Sequence, residues 1–119
     1  YMILVGFGPN DNKEIVDKMV KKIINLRIFE DENEKMNYNL AKVNGSILSI
    51  SQFTLYANCN EGNRPSFALA MRPDEATLLY DYFNEALRNN GVNVQTGIFG
   101  ADMQISLIND GPVTIILEF

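Results

Sequence analysis

Few residues in this chain are of a type that does chemistry. The 119-residue sequence has no histidine and one cysteine, Cys59. Without imidazole there is no Ser–His–Asp triad, no Cys–His pair and no histidine metal site. Proton transfer at neutral pH is then left to carboxylates, backbone dipoles or a group on the substrate. Cys59 sits in a polar stretch with no basic residue beside it and reads as an inert thiol. The hydroxyls of Ser51 and Thr54 fall within the apolar run Ile47–Tyr56, and taken alone they read as structural. Gly111-Pro112 taken alone is a turn between strands, in the usual trans form. There is no Walker loop and no dinucleotide fingerprint. No metal or other cofactor is expected.

The composition bounds the elements that must position these groups. Apolar residues make up 46% and charged residues 21%, an ordinary globular balance. The length fits one domain, residues 1–119, small enough that association would help it bury a core. No apolar run is long enough to span a membrane, and no secretory signal is visible, so a cytoplasmic location is expected. A lone cysteine agrees with a reducing compartment. The net charge of −5 argues against a grip on a long phosphate backbone and for a small ligand or one held at its end.

Met2–Phe7 reads as a buried strand, followed by a break over Gly8–Asn12. Asp11 and Glu14 have capping-box spacing for a helix carrying Ile15, Val16, Met19, Val20, Ile23 and Ile24 on one side. Its Lys18, Lys21 and Lys22 read as a solvated face. Arg27–Phe29 reads as a short strand and Ile47–Tyr56 as a long central one. Pro73 opens a second helix with Leu78, Leu79, Tyr82, Phe83, Ala86 and Leu87 inward, and Gly91 stops it. Val92–Ile98, Met103–Ile108 and Val113–Phe119 read as three final strands. The order β-α-β-β-α-β-β-β predicts an α/β or α+β domain, with helices packed on a mixed sheet.

Two segments carry a resemblance. Ser51-Gln52-Phe53-Thr54-Leu55 and Asn109-Asp110-Gly111-Pro112-Val113-Thr114 resemble the signature segments of D-aminoacyl-tRNA deacylases. Their order and spacing agree, as do Asn25–Phe29, Gly62–Phe67 and Phe99–Gln104. The likeness runs over nearly the whole chain. It implies a layered α/β/β fold with mixed sheets, two helices packed on one side, and a homodimer. Family members carry a further N-terminal strand and hairpin before the segment matching Met2–Phe7, which this sequence lacks.

The resemblance also implies a mechanism. The family hydrolyses the ester between an amino acid and the terminal adenosine of tRNA. No side chain serves as base: the terminal ribose 2′-hydroxyl helps activate water, and backbone N–H groups of the first segment hold the oxyanion. The catalytic set is Ser51, Gln52, Phe53 and Thr54, with the N–H groups of Gln52 and Phe53 expected as donors and Thr54 ranked second as a nucleophile. Gly111 and Pro112, joined by a cis bond, enter the partner subunit's pocket and exclude L-amino acids. Asn109, Val113, Thr114, Met103 and Phe99 complete the substrate and chirality site. The partner is a tRNA acceptor end carrying a D-amino acid or glycine, with Arg64 and the first-helix lysines as phosphate contacts. The alternative is a non-catalytic nucleic-acid-binding dimer that kept the fold.

Overall fold

The computed structural model describes all residues from Tyr1 to Phe119. Three parallel strands form the frame: β1 (Met2–Val5), β4 (Ile47–Ser51) and β5 (Val94–Thr96), in the order β1-β4-β5. Parallel neighbours need crossovers, and two helices supply them: α1 (Lys13–Asn25) and α2 (Pro73–Asn89). Register is set by Met2 opposite Leu48, Val5 opposite Ser51 and Ile47 opposite Val94. β4 is central, and Ile47, Ser49 and Ile50 in it are buried. A separate antiparallel pair, β2 (Phe29–Glu30) and β3 (Met36–Tyr38), lies in the first crossover.

Both helices bury one side in a single core. Val16, Val20 and Ile23 of α1 join Tyr80, Phe83 and Leu87 of α2, together with Ile47 and Val94 of the sheet. Asn12 caps α1: its Oδ1 accepts the Ile15 N–H at 3.0 Å. The expected cap, Asp11, instead accepts the Gly8 N–H at 2.7 Å and closes the preceding turn. The inward side of α2 is rotated from the expected one. Ala76, Tyr80, Phe83, Asn84 and Leu87 are buried, while Leu78 is 71% exposed. A stripe placed from apolar residues alone missed Asn84, because that asparagine faces the core.

The strand bounds also differ from expectation. Ile47–Tyr56 is not one strand: β4 ends at Ser51, and Phe53–Tyr56 is a 3₁₀ turn. The short strand expected at Arg27–Phe29 falls at Phe29–Glu30, and Val92–Ile98 contracts to Val94–Thr96. Met103–Ile108 and Val113–Phe119 enter no ladder, and no backbone–backbone hydrogen bond involves residues 102–119. Apolar patterning marks a side to be covered. It does not supply the neighbour whose N–H and C=O groups complete a ladder.

Candidate active site

The chain leaves the central strand at Ser51 and turns sharply. The Gln52 N–H donates to Val5 O at 2.8 Å, and the next donors to find acceptors are Leu55, on Gln52 O at 3.3 Å, and Ala57, on Thr54 O at 3.0 Å. The first N–H groups of a helical turn have no partner within it. Those of Phe53 and Thr54 accordingly donate to nothing in the chain. This changes the expected donor pair: Gln52 is already committed to β1, and the two free donors are Phe53 and Thr54. The Gln52 side chain braces the same turn, its Nε2 donating to Thr54 Oγ1 at 2.5 Å.

Gly6 and Gly8 let the turn lie close against the end of β1. A Cβ on Gly6 would fall 2.9 Å from Gln52 O and 3.3 Å from the Tyr56 ring. A Cβ on Gly8 would fall 2.9 Å from the Tyr56 hydroxyl. Burial raises the Tyr56 phenol above its ordinary pKa, with a smaller push from the negative charges of Asp11 and Glu118. The Phe53 ring meets Phe67 edge to face at 5.1 Å. Phe53 is about half open to solvent and Phe67 less so, and the pair forms an exposed aromatic rim on this turn. Gly6, Tyr56 and Phe67 are additions to the sequence-derived site. The apolar spacing of Met2–Phe7 hid Gly6, whose role shows only in the approach of a distant loop.

Met103 and Phe99 lie near the same strand end. Gly97 has no room for a Cβ, which would meet Met103 Sδ at 2.5 Å and Ile50 Cδ1 at 3.1 Å. The Met103 thioether therefore packs over bare backbone beside β4. Phe99 packs against Tyr80 with ring centroids 6.0 Å apart. The second signature segment stands apart. The Gly111–Pro112 bond is cis, with Gly111 at φ 129°. Asn109 fastens the loop at both ends: its Nδ2 donates to Thr114 Oγ1 at 3.2 Å, and its Oδ1 accepts the Val113 N–H at 3.3 Å. Residues 109–114 are all exposed. Within one chain no hydrogen bond links the two segments.

Comparison with known proteins gives the family. Residues 1–118 match the D-Tyr-tRNA(Tyr) deacylase family. The chain belongs to the D-Tyr-tRNA(Tyr) deacylase family. It is therefore a hydrolase. A D-aminoacyl-tRNA deacylase of Staphylococcus aureus strain JH9 is 53% identical over 118 residues, which are 99% of this chain and 79% of that protein. A solved structure titled c-Myc DNA Unwinding Element Binding Protein superposes with a TM-score of 0.90 at 41% identity, covering 98% of this chain and 80% of that one. A probable eukaryotic D-amino acid tRNA deacylase shares the fold, with a TM-score of 0.74 at 18% identity over 85% of this chain and 75% of that one. In this chain the turn after β4 presents the free N–H groups of Phe53 and Thr54, and no histidine is present.

Proposed function

We propose that the chain hydrolyses the ester bond of D-aminoacyl-tRNA, and of glycine mischarged on tRNA, and spares L-aminoacyl-tRNA. The observation that carries this is the pair of free N–H groups of Phe53 and Thr54 at an exposed turn, in a chain without histidine. Fixed donors aimed at a developing oxyanion are worth about 3–4 kcal/mol, or 10²–10³ in rate. The proton leaving the attacking water goes to the substrate side, with the terminal ribose 2′-hydroxyl assisting. Thr54 Oγ1 already accepts the Gln52 amide and has no base to deprotonate it, so it stays a brace. A water-derived hydroxide adds to the ester carbonyl, the two N–H groups hold the resulting oxyanion, and collapse releases the free amino acid and the tRNA 3′ end.

The site is completed by a second copy. The exposed loop Asn109–Thr114 enters the partner's pocket, where Gly111 and Pro112 crowd an L side chain and Met103, Phe99 and Val113 line the substrate. The surface supports association. A compact chain of this mass exposes about 6,500 Å², whereas this one exposes 8614 Å². Its radius of gyration is 15.3 Å against about 13.5 Å for a compact chain of this length. Only the acceptor end of the tRNA enters, so a net charge of −5 is tolerable, with Arg64 and the lysines of α1 as phosphate contacts. The setting is the cytoplasm, where charged tRNA is made and used.

A second reading is favoured by the 41%-identical relative whose title names a DNA-binding protein. On that reading the chain is a nucleic-acid-binding dimer without turnover. One experiment separates the two: D-Tyr-tRNA with a labelled amino acid is incubated with the protein. Release of free D-tyrosine supports the deacylase, and tight tRNA binding without release supports the binding protein.

A further inference from the structure

A position needs glycine for one of two reasons, a backbone angle or a lack of room. Gly97 is not among the glycines with positive φ, which are Gly62, Gly91, Gly100 and Gly111. Room is therefore the reason. A Cβ there would stand 2.5 Å from Met103 Sδ, 3.1 Å from Ile50 Cδ1 and 3.4 Å from Met103 Cε. Two of those three atoms belong to one thioether.

The chain after Gly97 brings that thioether back. It reverses in a turn closed by the Ala101 N–H on Ile98 O at 3.1 Å, with Gly100 at φ 77°. No backbone hydrogen bond holds residues 102–119, so Met103 is placed by what its side chain packs on. The seat beneath it is fixed. The Gly97 N–H donates to Ser49 O at 3.2 Å, and the buried Tyr80 hydroxyl donates to the same carbonyl at 2.7 Å. Ile50 is 3% exposed and belongs to the core. The half-buried Met103 is the group that can give way, and an unbranched thioether gives readily. A methyl group on Gly97 would push it by about 1 Å to restore ordinary contact, away from β4. With Met103 lining the substrate, that movement takes up substrate space.

We propose that Gly97 is a specificity-determining residue: its missing side chain is the recess that holds the Met103 thioether clear of the aminoacyl group. Esters of bulky D-amino acids are the substrates this recess admits. A glycyl ester, with no side chain to house, needs it least. The proposal rests on the deacylase reading, and its test keeps the two apart.

Gly97→Ala should raise KM for D-Tyr-tRNA by about tenfold, the scale of a methylene-sized misfit in a fitted pocket, and change kcat and the KM for Gly-tRNA by less than about twofold. In a Met103→Ala background the same glycine substitution should have no such effect, because no thioether is left to displace. A second measurement uses the unmodified protein and decides alone if Gly97→Ala does not fold. With ¹³C-methyl methionine, the Met103 methyl signal should show a nuclear Overhauser effect to the Gly97 α-protons. It should also shift more with the D-tyrosyl amide analogue of 3′-aminoacyl adenosine than with the glycyl analogue. The proposal is overturned by a missing Overhauser effect or by a methyl signal that both analogues move alike. It is equally overturned by a KM rise in Gly97→Ala that is the same for both substrates or that persists without Met103. No release of D-tyrosine by the unmodified protein would overturn the deacylase reading and this proposal with it, whereas normal release with no selective effect of Gly97→Ala would overturn this proposal alone.

Discussion

Replacing Gly6 by alanine should slow the chemical step although Gly6 touches no substrate. The new Cβ would stand 2.9 Å from Gln52 O, where ordinary contact begins at 3.4 Å. The turn must therefore retreat by about 0.5 Å. It cannot do so freely, because the Gln52 N–H is held by Val5 O at 2.8 Å. The Phe53 and Thr54 donors move with it. A displacement of 1 Å in a positioned site costs about 10² in rate, so half of that predicts about a tenfold fall in kcat. Overpacking should also cost about 1–3 kcal/mol of stability. Single-turnover release of D-tyrosine at saturating protein isolates the chemical step, with thermal melting in parallel. Gly91→Ala is the control. Gly91 has φ 82° and open space around it at the end of α2, so alanine there should cost stability and leave the rate alone. A Gly6→Ala protein with the full rate would refute the placement of the donors on this turn.

Four further outcomes follow from the same geometry. Phe53→Pro removes one free N–H at the first position of the 3₁₀ turn, where proline is tolerated, and it should lose about 10²–10³ more in kcat than Phe53→Ala, which removes only the ring. Replacing the tRNA 2′-hydroxyl by hydrogen should collapse hydrolysis while filter binding persists, whereas Thr54→Ala should be far milder. Asn109→Ala removes both hydrogen bonds that brace the second loop, and it should loosen the preference for D over L substrates in a paired deacylation assay. Tyr56 has a folded pKa raised above 10.0 by burial first. The stability it contributes is complete below pH 10 and falls as pH rises through the elevated folded value. The difference in melting temperature between the protein and Tyr56→Phe should therefore shift as pH passes 10, read by calorimetry at pH 8 and above 10.

The apolar spacing in Met2–Val5, in Val16, Val20 and Ile23, and in Phe83 and Leu87 was enough to place β1 and the two helices, because burying one side is what those elements do. The family was legible from the two signature segments, and the deacylase relatives agree with it. Three things were not legible, each for a physical reason. The end of β4 at Ser51 was hidden because Phe53, Leu55 and Tyr56 continue the apolar run, yet here two of them point to solvent. The N-cap went to Asn12 instead of Asp11 because either residue can accept, and the turn at Gly8 claimed the aspartate. The strands expected at Met103–Ile108 and Val113–Phe119 have the right alternation but no neighbour within the chain. Ile108 and Ile116, 92% and 82% exposed, are the residues most in need of a second surface.

That second surface bears on the two-chain site: light scattering should give twice the chain mass, and a monomer that still turns over would remove the partner's loop from the mechanism. The central claim concerns stereochemistry at the ester, and one comparison tests it most directly. Purified protein is incubated with D-Tyr-tRNA, Gly-tRNA and L-Tyr-tRNA under identical conditions, and the released amino acid is measured against time. The account predicts rapid release from the D-tyrosyl and glycyl substrates and none above the spontaneous rate from L-Tyr-tRNA. Equal cleavage of D- and L-Tyr-tRNA, or no cleavage of either, would contradict it.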